Sequence, residues 1–147
     1  MTRKLFVAVF ALSCVIGWNG VPGFAQSGNT FKGRLAPVPA EAKTLPDIMG
    51  VGMASATLAG TKVTISGTFE GLASNATIAQ LHDSKTIRGI RGPVIGDLTV
   101  TKAMKGTIGG NVNLTPEQVA SLKAGRLYVQ IHSEKAAEGN LWGWLLP

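Results

Sequence analysis

Residues 127–132 alternate strictly, Leu-Tyr-Val-Gln-Ile-His, and this run constrains the fold more than any other stretch. Period-two alternation built on β-branched and aromatic residues is the pattern of a half-buried strand. It sends Leu127, Val129 and Ile131 towards a core and Tyr128, Gln130 and His132 to the opposite face. A charged loop ending in Gly139 follows, and residues 141–146 resume β character with Trp142 and Trp144 on one face. Both faces of this closing run are apolar, so alternation alone leaves its direction open. The expectation is that the two tryptophans roof the core from the inner face, with Leu141, Gly143 and Leu145 outside. If the indoles faced outward and were coplanar, roughly 7 Å apart by the strand rise, they would make a sugar-stacking platform or an anchor for a partner protein.

The rest of the body reads as short β segments between turn signals. Phe31, Gly33 and Leu35 mark a first strand, and Pro37, Pro39 and Pro46 make residues 36–47 an extended segment crossing between sheets. Residues 53–58 and 61–69 alternate on either side of Ala59-Gly60-Thr61 and read as a hairpin. Further strands are expected at 77–82, with Ala79 and Leu81 inward, at 94–101, with Leu98 and Val100 inward, and at 107–114. Thr115-Pro116-Glu117-Gln118 is a capping box with proline at the first helical position, and Gly125 is a natural terminator. The fold class is therefore all-β: a Greek-key β-sandwich, immunoglobulin-like or superoxide-dismutase-like, with one short helix near 115–124. A small closed barrel fits the same tally.

Residues 1–25 read as a secretory signal peptide. Arg3 and Lys4 form a basic start, residues 5–16 an apolar run, and Gly23 and Ala25 offer a small-residue cleavage site before Gln26. The run is short for a membrane span and is interrupted by Asn19, Gly20 and Pro22. A lipid anchor on Cys14 is the weaker alternative, because Ala11 stands where such sites prefer Leu. The mature domain is then 26–147, with no transmembrane segment after cleavage and a secreted or periplasmic address. Cys14 is the single cysteine, so the mature domain has no disulfide, no thiolate nucleophile and no cysteine-based metal site. The formal charge of +6 loses the two contributed by Arg3 and Lys4. The remaining cations are scattered, with Lys85, Arg88 and Arg91 the one local cluster, and this excludes a nucleic-acid-binding face.

Two stretches carry a family resemblance. Gly125-x-Leu127-Tyr128-Val129-x-Ile131-His132-Ser133, followed by Gly139-Asn140-Leu141-x-Gly143-x-Leu145, resembles the signature that closes a CHRD domain, the module first described in chordin. Gly92-Pro93-Val94 and Leu98 resemble the family more loosely. The resemblance implies a secreted β-sandwich acting as a non-catalytic binding or structural module; in chordin it belongs to an extracellular antagonist of growth-factor ligands. Many CHRD domains carry His-x-His where Gln80-Leu81-His82 stands here, and they usually place Arg and a polar residue at the positions of Trp142 and Trp144.

The residues themselves offer little chemistry. His82 and His132 lie in matching Gln-x-His patterns and would meet at one edge if their strands were neighbours. Imidazole is a common copper or zinc ligand, so a metal-binding extracytoplasmic protein using His82 and His132 is the first alternative. With Gln80 replacing a third imidazole the site would be thin, and the plainer reading has each histidine bonding loop backbone. The expectation is no cofactor. A superoxide dismutase would need more histidines than the chain has. A hydrolase is the second alternative: no Gly-x-Ser-x-Gly elbow is present, and Ser133 points away from His132. No spacing singles out a carboxylate pair. Tyr128, Gln130, Trp142 and Trp144 are the candidate contacts to an unknown protein or glycan partner.

Overall fold

The computed structural model describes residues 27–147. The proposed leader and Cys14 lie outside these residues. Eight antiparallel strands run β1 (Thr30–Pro37), β2 (Val51–Ala59), β3 (Lys62–Glu70), β4 (Ala76–Asp83), β5 (Val94–Val100), β6 (Gly106–Asn113), β7 (Leu127–Ser133) and β8 (Leu141–Trp144). One helix, α1 (Pro116–Lys123), separates β6 from β7. The strand order is β1-β2-β3-β6-β5-β4-β7-β8, and β8 returns to pair with β1. All successive strands are neighbours except at β3→β4 and β6→β7, and these two crossovers make the topology Greek-key.

The expected sandwich is thus a closed barrel, because two strands change partners along their length. β1 pairs with β2 through Leu35 and then with β8 at Ala36 and Pro37. β5 pairs with β4 up to Leu98 and with β6 at Thr99 and Val100. Closure removes both sheet edges, which would otherwise offer unpaired N–H and C=O groups to other chains. At the β1–β8 corner the backbones come close: a Cβ on Gly143 would sit 2.5 Å from the Arg34 carbonyl oxygen.

The inward residues follow the alternation. Leu127, Val129 and Ile131 are fully buried in the core, as are Ala79, Leu81 and Leu35. The capping box of α1 is formed: the Gln118 N–H donates to Thr115 Oγ1 (3.3 Å), and the Thr115 N–H donates to Gln118 Oε1 (2.9 Å). Leu122 drops from this helix into the core, so the crossover also plugs the barrel. Residues 36–47 differ from expectation. They join hydrogen-bonded neighbours, β1 and β2, and contain a 3-10 turn at Leu45–Asp47, with Pro46 supplying its fixed φ at the start.

The closing strand faces the other way from the expectation. Leu141 and Leu145 are fully buried and Gly143 packs on β1, while Trp142 and Trp144 are half-buried on the outside of the barrel. Register decides this. Tyr128 pairs with Trp144, and Gln130 with Trp142, so the tryptophans share the outer face of β7.

Candidate functional site

Part of the outer face of β4, β7 and β8 is covered: His82, Tyr128 and Gln130 are buried there, while Ile78 on the same face is exposed. Strand pairing sets the rows: His82 lies opposite Tyr128, and Tyr128 opposite Trp144; Gln80 lies opposite Gln130, and Gln130 opposite Trp142. The first row is a stack of rings. His82 lies parallel to Tyr128, centroids 4.8 Å apart and planes 13° from parallel, and Trp144 lies tilted on Tyr128 at 4.9 Å. Trp142 meets Trp144 edge-on at 4.6 Å and 70°. The indoles are therefore not the coplanar pair of a flat sugar platform; their rings are consumed in contacts with each other and with Tyr128.

Two loops lie on this layer. The first, residues 84–93, is pinned at Gly92. The Tyr128 hydroxyl accepts from the Gly92 N–H (3.0 Å) and donates weakly to its carbonyl (3.4 Å), and His82 Nδ1–H donates to the same carbonyl (3.0 Å). Only glycine fits there, since a Cβ would lie 1.9 Å from the Asp83 carbonyl oxygen. The second loop, residues 134–140, is pinned by Gln130 and His132. Gln130 Nε2 donates to the Glu138 carbonyl (3.1 Å) and to His132 Nε2 (3.3 Å), and His132 Nδ1–H donates to the Ala137 carbonyl (2.8 Å). Gly139 holds a φ of +129° where a side chain would strike Gln130. Arg91 ties the loops together by donating to the Glu138 carbonyl. Asn140, fully buried, brings in a third segment by bonding both the N–H and the carbonyl of Met49 (3.1 and 3.3 Å).

These contacts place each candidate residue. Tyr128 and Gln130, expected to face outward, do so but are 0% and 2% exposed beneath the loops. His82 is also buried, and desolvation holds its pKa below the ordinary value against the raising effect of the Gly92 hydrogen bond, with the Arg91 charge adding to the lowering. His82 and His132 do not converge. Their strands are neighbours but antiparallel, so His82 faces Tyr128 while His132 faces Ile78, four positions away and roughly 13 Å along the strand. Each imidazole bonds a loop carbonyl, and no group of three or more His, Cys, Asp or Glu residues able to hold a metal occurs among the described residues. Gln80 donates to Asp97 Oδ1 (2.9 Å). Ser133 is buried on the inner side, away from His132.

The pinned segments wall a cleft of about 480 Å³, bounded by residues 38–41, Lys43, Thr44, Ile48, Arg91 and residues 135–139. Its rim carries two exposed ion pairs, Lys43–Glu41 (3.1 Å) and Lys135–Asp47 (3.8 Å). Sequence reasoning missed this cleft: it named Arg91 only in a cation cluster, and Gly92 and Asn140 only within the family resemblance, without the contacts they make. Their partners lie far away in the chain, Asn140 bonding Met49 and Gly92 bonding Tyr128. The one local cue was the Gly92-Pro93 dipeptide, which reads as a turn.

A closed Greek-key barrel that uses one outer face to hold loops defines a class: a small β-barrel with loops pinned on one face. The chain belongs to the CHRD domain family, whose CHRD domain matches residues 35–145. CHRD domains are non-enzymatic modules that occur in secreted and extracellular proteins. Comparison with curated proteins and with solved structures yields no match. Among the described residues no helix is long and apolar enough to cross a membrane.

Proposed function

We propose that this protein is a secreted or periplasmic, non-catalytic binding module that holds a protein or glycan partner at the cleft between residues 38–48 and 135–139 and at the adjoining half-buried edge of Trp142 and Trp144. One observation carries this reading. The polar side chains that could have served chemistry, His82, Tyr128, Gln130 and His132, all bond loop backbone instead. A rigid scaffold that positions loops is the usual basis of a binding surface. The depressions outside β1–β3, around Met53, lie on strand faces rather than between pinned loops. The metal-binding and hydrolase alternatives draw no support from this geometry.

The test is a binding screen of the purified protein against extracellular glycans and proteins, repeated with Trp142→Ala and with Lys43→Ala/Lys135→Ala. A partner whose affinity falls about tenfold in either variant, with the circular dichroism unchanged, supports the proposal. A partner indifferent to both variants, or one chemically converted during incubation, overturns it.

A further inference from the structure

Residues 85–91, between β4 and β5, form a tip that the barrel does not use. Both ends are clamped. The Ser84 N–H and hydroxyl donate to the Arg126 carbonyl (3.1 and 3.0 Å), the Asp83 N–H donates to the Pro93 carbonyl (3.1 Å), and Gly92 is held by His82 and Tyr128. Between the clamps every residue is exposed. The sequence is Lys-Thr-Ile-Arg-Gly-Ile-Arg: three cations, two isoleucines and no acid. Ile87 and Ile90 are 60% and 49% exposed. Isoleucine is not a turn former, and nothing in the turn geometry requires it. The backbone is instead shaped by Lys85 and Gly89, both at positive φ (+57° and +92°).

Two of the three cations at the tip are uncommitted. Arg91 is engaged at the base with the Glu138 carbonyl. Lys85 and Arg88 have no ion-pair partner among the described residues. The adjacent acid, Asp83, is buried and accepts from the Lys85 N–H (2.8 Å). The tip therefore offers two free cations beside two exposed isoleucines. An acidic polysaccharide would satisfy the cations and leave the isoleucines in water. A purely apolar partner would bury the isoleucines and strand the cations. An anionic bilayer surface takes both, with phosphates for the cations and the acyl boundary for the apolar side chains.

We infer that residues 85–91 are a membrane-docking tip for anionic phospholipid surfaces. This goes beyond the binding-module reading and does not depend on it. The experiment is flotation of the protein, recovered from the extracytoplasmic fraction of an expressing host, with vesicles of phosphatidylcholine plus phosphatidylglycerol and with phosphatidylcholine alone. Because every variant shares one N-terminus, differences report on the tip. Binding is expected on the anionic vesicles only, and to weaken as salt rises. Lys85→Gln/Arg88→Gln should weaken it about fivefold per cation, and Ile87→Ser/Ile90→Ser should weaken it while leaving the salt dependence in place. Lys102→Gln/Lys105→Gln, with the same change in charge on the β5–β6 turn at the other end of the barrel, should bind as wild type. Equal binding to neutral vesicles, no binding at all, or an equal loss in the Lys102/Lys105 control overturns the inference. So does an isoleucine variant that binds as well as wild type, which would make the tip a site for soluble polyanions.

Discussion

Tyr128 is the residue on which the outer layer turns, and replacing it separates two contributions. In Tyr128→Phe the ring contacts to His82, Trp144 and Trp142 remain, but the partner of the Gly92 N–H is lost. Leaving a donor unpaired costs about 1–3 kcal/mol, and because Gly92 is only partly buried, the expected loss is about 1–2 kcal/mol. Tyr128→Leu also forfeits the aromatic pairs and opens space beneath the loop, so its total should be about 3–5 kcal/mol. Urea unfolding followed by tryptophan fluorescence should show both as shifts in midpoint at constant slope. For a domain of this size each kcal/mol moves the thermal midpoint by about 3–5 °C. Native-state hydrogen exchange adds a local readout: in Tyr128→Phe the Gly92 amide should exchange faster by more than the global loss accounts for. A phenylalanine variant of wild-type stability with unchanged Gly92 exchange would show that the hydroxyl does not hold the loop. A leucine variant no worse than the phenylalanine one would show that the ring stack contributes nothing.

The remaining predictions rest on neighbouring features. His82 has a lowered pKa when folded, so the unfolded chain binds the proton more readily; its contribution to stability is full above about pH 6.5 and is lost as pH falls from there towards the depressed folded value. His82→Gln should remove that part of the pH dependence in urea titrations; an unaltered slope would refute it. Deleting residues 141–147 removes the strand between β7 and β1, leaves both with open edges and should abolish soluble folding, whereas Val129→Ala should cost about 1–3 kcal/mol. A soluble, cooperatively folding truncation would show that β8 is dispensable. No stoichiometric copper or zinc is expected at neutral pH, because His82 and His132 stand at opposite ends of their strand pair; a one-to-one complex in calorimetry, lost in both His82→Ala and His132→Ala, would contradict this. Expressed with its own leader, the protein should be recovered outside the cytoplasmic membrane beginning at Gln26, which N-terminal sequencing checks; an intact Met1 or a lipid on Cys14 would overturn it.

Much of the barrel was legible in the sequence because side-chain direction in a strand is local. Alternation placed Leu127, Val129 and Ile131 in the core and Tyr128 and Gln130 outside it. The α1 cap, a short-range device, was equally readable from Thr115 to Gln118. Alternation could not orient the closing strand, since Trp142 and Trp144 alternate with residues just as apolar. Nor could it show that Tyr128 and Gln130, though outward, would be buried, because alternation gives a side chain's direction and not which loop folds back over it: Gly92 reaches Tyr128 from the β4–β5 loop, and Glu138 reaches Gln130 from the loop that follows β7.

What the sequence determined alone is therefore the period of the strands, short turns such as Ala59-Gly60-Thr61 and the family signature at the C-terminal end. The tertiary structure decided the rest. Long-range pairing selected a closed barrel over a sandwich, because β1 and β5 each bond two neighbours. The antiparallel register of β4 on β7 carried His82 and His132 apart despite their matching local patterns. The physical reason is that period depends on adjacent residues, whereas register and loop cover depend on which distant strands exchange hydrogen bonds, and strand pairing of either sense is compatible with the same alternation.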